Sequence, residues 1–237
     1  MLGSLKDIFA EVAPTYEWVN RVLTLGLDRP WRRRAVRLAV RGGGKVWLDV
    51  CSGTGETAAE LARMSPPGTM VLAADFCAAM LQGARRKNRR GHLNLVKPIL
   101  ADVRRLPLPD SSVDLVTLSF ATRNLNTTRE SLGRTFSEFH RVLKPGGRLV
   151  NVETSQPPAQ IIRILFHAYV RTFVRPLGTR ISGSRAGYAY LSSTIPRFYA
   201  AETLARILGE AGFAPVAFRR LLFGAAAIHE AVKRPSA

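Results

Sequence analysis

Asp49, Gly53 and Gly55 lie close together in the stretch LDVCSGTGETA, and two further acids, Asp75 and Asp102, follow along the chain. Glycines in a turn between a strand and a helix let the backbone approach a ligand closely. Gly53, Gly55 and Ala58 also satisfy the dinucleotide pattern G-x-G-x-x-G/A, so their spacing alone does not separate a nicotinamide cofactor from other adenosine ligands. Asp49 tips the balance, because a carboxylate in this turn repels a pyrophosphate and attracts an ammonium or a sulfonium. S-adenosylmethionine carries both cations and no phosphate. Asp75 ends the second strand twenty residues after Gly55, where side chains of this kind of fold reach ribose hydroxyls. Asp102 follows the next strand, where it or a neighbouring backbone amide can meet an adenine edge. Each acid taken singly also suits a helix cap or a solvated turn; three on successive strands beside a Gly-rich loop point to a ligand.

A second pair of chemical groups closes the run SFATRNLN at positions 119–126, where Arg123 and Asn124 stand side by side. At the C-terminal end of a parallel strand they face the side of the sheet on which ligands bind. The same pair also suits a bridge from Arg123 to a helix-end carboxylate with Asn124 capping a turn.

The elements that must position these groups alternate from Lys45 onward: KVWLDV, TMVLAAD, LNLVKPILAD, VDLVTLSF and RLVNVET read as strands. GETAAELARM, AAMLQGARRK and RESLGRTFSEFHRVL read as helices, the last closed by KPGG. Short apolar runs separated by helices predict an α/β fold, a mostly parallel seven-stranded sheet with helices on both faces. The chain ends in a helix at 200–210 and the strands AFRRLLF and AAAIHEAVK, which predict an antiparallel edge hairpin. Residues 1–41 carry helical spacing and predict a segment covering the substrate site, with Trp31, Ala35, Leu38 and Ala39 inward and Arg33, Arg37 and Arg41 outward. The division expected is 1–41 and 42–237, with 156–199 as an inserted lid.

A chain of 237 residues with 46% hydrophobic residues can bury a sizeable core. The net charge of +18 favours an anionic partner, membrane lipid or nucleic acid, or reflects Arg-rich coding. Two cysteines without metal-ligand spacing suit a reducing cytosol and give no metal site. Neither a secretory signal nor an uninterrupted apolar run of membrane-spanning length is present.

The blocks FAEVAPTYEWVNRVLTLGLDRPWRR, LDVCSGTGE, SFATRNLN, HRVLKPGGRLVNVE and AGYAYLSSTIPRF run from Phe9 to Phe198. Together they resemble the ubiquinone/menaquinone biosynthesis C-methyltransferase family, within the class I S-adenosylmethionine-dependent methyltransferases. Glu17, Thr24 and Glu56 stand where that family usually has Asp, Ser and Asp. The resemblance implies methyl transfer from S-adenosyl-L-methionine to a ring carbon of a polyprenylated quinol precursor. It implies cofactor contacts at Asp49, Ser52, Gly53, Thr54, Gly55, Asp75, Phe76, Asp102, Val103 and Ser119, and substrate contacts at Tyr16, Asn20, Tyr188 and Tyr190. A hydroquinone carbon becomes nucleophilic when a hydroxyl loses its proton. Bringing a phenol from about pKa 10 toward neutrality asks for about 4 kcal/mol, within reach of one charge-assisted contact. Arg123 is expected to stabilise that oxyanion and Asn124 to orient the hydroxyl; water, Asp28 or Glu17 can accept the proton.

Residues 161–175 read as one amphipathic helix, with Arg163, His167, Arg171 and Arg175 opposite Ile162, Phe166, Tyr169 and Phe173. Such a helix serves either as an ordinary lid or as a contact with an anionic membrane, which places the chain in the cytoplasm at the inner membrane face. An RNA-modifying activity suits the charge, yet no NPPY-like tetrapeptide and no separate basic appendage is present, so no stable nucleic-acid complex is expected. A homodimer is left open.

Overall fold

The computed structural model describes residues 7, 9–89, 96–182 and 185–235. A seven-stranded sheet runs in the order β3-β2-β1-β4-β5-β7-β6. Its strands are β1 (Val46–Val50), β2 (Met70–Asp75), β3 (Val96–Leu100), β4 (Val113–Ser119), β5 (Leu143–Thr154), β6 (Phe213–Leu221) and β7 (Ala226–Lys233). The first five pair in parallel, and β7 pairs antiparallel with both β5 and β6. The expected terminal hairpin is thus present, with β7 inserted between β5 and the edge strand β6.

Parallel strands buried on both faces read as unbroken apolar runs, and β1 shows why. Trp47 faces one core with Ala35, Val36, Ala58 and Leu61, while its neighbour Leu48 faces the other with Phe136, Phe139 and Leu204. The first core is closed by helices α2 (Asp28–Ala39) and α3 (Glu56–Met64), the second by α6 (Arg129–Val142) and α10 (Ala201–Glu210). Ala35, Leu38 and Ala39 are buried and Arg33, Arg37 and Arg41 exposed, as their spacing predicts. Because α2 shares the core of the sheet, the expected boundary at residue 41 falls inside one packed body.

Further helices are α1 (Tyr16–Leu23), α4 (Ala78–Arg89), α5 (Thr122–Leu125), α7 (Gln160–Tyr169), α8 (Arg175–Ser182) and α9 (Arg185–Thr194). Residues 9–23 pack against residues 160–182 and 185–195 over the C-terminal ends of the strands. Leu23 and Leu191 join Val12 and Val19 to Val170 and Val174, and the Tyr169 hydroxyl donates to the Leu23 carbonyl at 2.7 Å.

Three local readings differ. KPGG lies inside β5, where the pairing with β4 shifts register between Val113 and Leu115; a left-handed Gly146 (φ +79) permits the irregularity. SFATRNLN leaves the sheet at Phe120 (φ 57), and Arg123 and Asn124 then sit on the single turn α5 rather than on a strand. The expected helix 161–175 is broken by a π-helical turn at Val170–Val174, a device common at functional sites. No helix among the described residues is long and apolar enough to cross a membrane.

Candidate active site

The order of strands reverses at β1 and β4, and the loops leaving their C-terminal ends open a crevice there. From β1 the chain reaches α3 through Cys51 (φ 50), Gly53 (φ 57) and Gly55 (φ 80). A Cβ on Gly55 would stand 2.8 Å from that of Ala84, so close packing on α4 as well as the backbone calls for glycine. Asp75 pins this loop by accepting from the Gly53 and Cys77 N–H groups, each at 2.8 Å. Burial raises its carboxyl, and those amides oppose the shift.

A cavity of about 80 Å³ opens against the loop, lined in part by Cys51, Gly53, Asp75, Phe76, Asp102 and Val103. The Asp102 carboxylate is forked onto Arg104, which holds it below the usual carboxylate range. Asp49, Ser52, Thr54, Gly55 and Ser119 do not line the cavity. Asp49 is 1% exposed and accepts from the Thr117 hydroxyl at 2.7 Å. Its Oδ2 and the Ser52 hydroxyl are buried without a hydrogen-bond partner. Burial pushes the Asp49 carboxyl up to about 6. Ser119 accepts from Thr57, whose hydroxyl in turn accepts from Arg32.

The strand-end acids converge. Burial raises the Cys51 thiol, and the negative charges of Asp75, Asp49 and Asp102 raise it further. Concentrated negative potential, unpartnered buried oxygens and a carboxylate beside the loop fit a ligand that carries cations and hydroxyls. These residues fit S-adenosylmethionine.

A second cavity of about 350 Å³ adjoins the first, and Phe9, Tyr16 and Asn124 line both. It is mostly apolar, and Asn20, Thr24, Asp28, Arg32, Arg123, Thr154 and Tyr190 line it together with Tyr16 and Asn124. Sequence reasoning assigned Arg123, Asn124, Asp28, Tyr16, Asn20 and Tyr190 to substrate chemistry, and all six are brought together here. The Tyr188 side chain lies outside the described residues. Glu17, the alternative proton acceptor, lines a different surface cleft with Arg29, Arg33 and Arg63.

Arg123 is 6% exposed and bridges to Glu153, itself 1% exposed, at 3.3 Å, with Thr154 Oγ1 at 3.2 Å. The ion pair read from sequence as an alternative therefore exists, but its carboxylate ends strand β5 rather than a helix. Arg123 Nε, Asn124 Oδ1 and Asp28 Oδ2 are buried without hydrogen-bond partners. Asp28 Oδ1 accepts from the Thr24 hydroxyl at 3.1 Å. Burial raises the Tyr16 phenol, against the lowering effect of Arg32, Asn20 and Arg123.

Three contributors escaped the sequence reading. Glu153 is a fourth strand-end acid, legible from the same logic that singled out Asp75 and Asp102. Arg32, whose guanidinium lies 4.9 Å from the Phe120 ring centroid, is three residues from Ala35 and so shares the inner face of α2. Glu56 receives Arg21 at 3.3 Å and Arg32 at 3.6 Å, tying the segment before the sheet to the start of α3.

The face of the cover also differs from expectation. Ile162, Phe166 and Tyr169 line the large cavity, whereas Phe173 is exposed. His167 bonds Gln156 at 2.7 Å, and burial first, then Arg171 and Arg163, lower its pKa.

Known proteins bear the same stamp. A Demethylmenaquinone methyltransferase of Thermus thermophilus is 41% identical over 222 residues, covering 94% of this chain and 98% of the relative. The Ubiquinone/menaquinone biosynthesis C-methyltransferase UbiE of Geobacter sulfurreducens is 34% identical, over 97% of this chain and 88% of its own. A SAM dependent methyltransferase from Aquifex aeolicus superposes with a TM-score of 0.59 at 20% identity, over 84% of this chain and 89% of that one, a likeness of fold. The pattern of the ubiE/COQ5 methyltransferase family matches residues 3–233, and with it the chain belongs to that family.

Proposed function

We propose that this methyltransferase methylates a ring carbon of a polyprenylated quinol at the expense of S-adenosylmethionine, with demethylmenaquinol as substrate and menaquinol as product. One observation supports this reading above the rest. A large, mostly apolar cavity, with a buried guanidinium and a buried carboxylate in its lining, shares a wall with a cavity suited to a cationic adenosine ligand.

Bound S-adenosylmethionine supplies an electrophilic methyl group. Gly53 and Asp75 would hold its ribose side and Phe76 and Val103 its adenine, while Asp49, buried beside Ser52, would offer negative charge to its ammonium. Arg123, with Nε open, stabilises the phenolate oxygen that makes the ring carbon nucleophilic. Asn124, on the shared wall, orients the hydroxyl. Asp28 Oδ2, buried on the same cavity, takes the phenolic proton directly or through water. Exclusion of water by Phe9, Tyr16 and the cover strengthens each of these contacts. A prenylated substrate resides in lipid, and the exposed Arg163 and Arg171 support peripheral contact with an anionic membrane at its inner face.

Label transfer from S-[methyl-³H]adenosylmethionine to demethylmenaquinol, run beside total RNA and a small catechol, tests the reading. Label in menaquinol alone is expected; label in RNA or the catechol alone overturns it.

Asp49 gives a pH dependence with a definite sign. Its folded pKa is raised from 3.8 to about 6, so the unliganded fold favours the protonated acid and loses stability as pH rises through about 6. A cationic ligand favours the ionised form instead. Affinity for S-adenosylmethionine is expected to rise about tenfold between about pH 5 and about pH 7. Calorimetric titration should show the profile flattened in Asp49→Asn, and a flat wild-type profile removes Asp49 from the ammonium site.

A further inference from the structure

The large cavity opens through an unusual rim. Leu25, Leu165, Leu222 and Phe223 line it, yet they are 78%, 65%, 51% and 73% exposed. They come from three segments distant in sequence: the turn between α1 and α2, the helix α7, and the turn joining β6 to β7. Ile161, also exposed and four residues before Leu165, continues the apolar surface along α7, and the exposed Ile164 adjoins Leu165.

Three of the four rim residues are held in left-handed backbone, Leu25 at φ 53, Leu222 at φ 43 and Phe223 at φ 54. Bulky side chains avoid this region, where glycine or asparagine rests without strain. The turn at 222–224 packs closely on the chain at Pro158, since a Cβ on Gly224 would stand 2.8 Å from it. Strain and exposed apolar surface coincide at one opening, which marks a surface shaped for a partner rather than for water.

Charge identifies the partner. Arg163 and Arg171 are exposed on the same helical segment as Leu165. Apolar tips beside these two arginines match a bilayer, with hydrocarbon meeting the tips and anionic headgroups meeting the guanidinium groups.

We propose that this rim is a lipid portal: Leu25, Leu165, Leu222 and Phe223 enter the outer hydrocarbon of an anionic bilayer. The prenyl tail then slides from lipid into the cavity without crossing water. The portal rests on the reading of the substrate as a prenylated quinol.

The triple variant Leu25→Asn/Leu222→Asn/Phe223→Gly tests it, since these replacements suit the left-handed backbone and should leave the melting temperature equal or higher. Binding to phosphatidylcholine/phosphatidylglycerol vesicles is expected to fall at least about tenfold. Turnover of a long-tailed demethylmenaquinol embedded in those vesicles should fall in parallel. Turnover of a water-soluble short-tailed analogue should fall by a far smaller factor. Wild-type vesicle binding by the variant overturns the portal, as does an equal loss on both substrates, which would assign the rim to the fold or to grip on the ring. A concentration-dependent dimer that the variant abolishes also overturns it, by assigning the rim to a second copy of the chain. If the wild-type protein methylates neither quinol, the substrate reading itself has failed, an outcome distinct from all of these.

Discussion

Arg123→Gln is expected to lower turnover roughly 100- to 1,000-fold while leaving affinity for S-adenosylmethionine within about twofold. The magnitude follows from removing one charged donor aimed at developing negative charge in a dry site. The selectivity follows from position, because Arg123 lines the large cavity and not the one beside the Gly loop. The replacement also leaves Glu153 buried without its cation, so lost turnover and lost fold must be told apart. Arg123→Gln/Glu153→Gln restores a neutral buried pair. Turnover measured on this double variant should remain low although its stability recovers. Recovery of turnover together with stability would make Arg123 a structural residue.

Glu153→Gln alone is expected to cost about 3–5 kcal/mol of stability, since it strands a buried guanidinium without its carboxylate. For a chain of this size that corresponds to a fall in Tm of roughly 6–20 °C. Glu153 also accepts from the Arg123 backbone N–H at 3.2 Å and from the Thr154 N–H at 2.8 Å, so the carboxylate organises the end of β5 as well as the side chain opposite. Denaturant unfolding of both single variants and the double variant gives the coupling energy of the pair. A coupling energy near zero would show that Arg123 and Glu153 act independently.

The strands and their parallel order were legible because a strand covered on both faces must be apolar at every position, and few other contexts impose that. The two faces of α2 were legible from helical period. Arg123 could be placed at the ligand end of the sheet, but its partner could not be found: Glu153 is thirty residues away, and no local period encodes a long-range ion pair. A strand-end position likewise fixes which end of the sheet an acid occupies and not which way its side chain turns. Asp75 and Asp102 thus line the cavity beside the Gly loop, while Asp49 is set among Thr117 and its neighbours. The break in the helix at Val170–Val174 was hidden because its residues satisfy a continuous amphipathic pattern equally well. The exposed rim was hidden for a different reason, since apolar residues in turns read as core until the fold shows which of them have nothing to pack against.

Phe9, Tyr16 and Asn124 stand in the wall between the two cavities and belong to both. A ligand that orders this wall from one side spares the other ligand part of the ordering entropy. The two affinities are therefore thermodynamically linked, and the factor by which methyl donor tightens quinol binding must equal the factor by which quinol tightens binding of the donor.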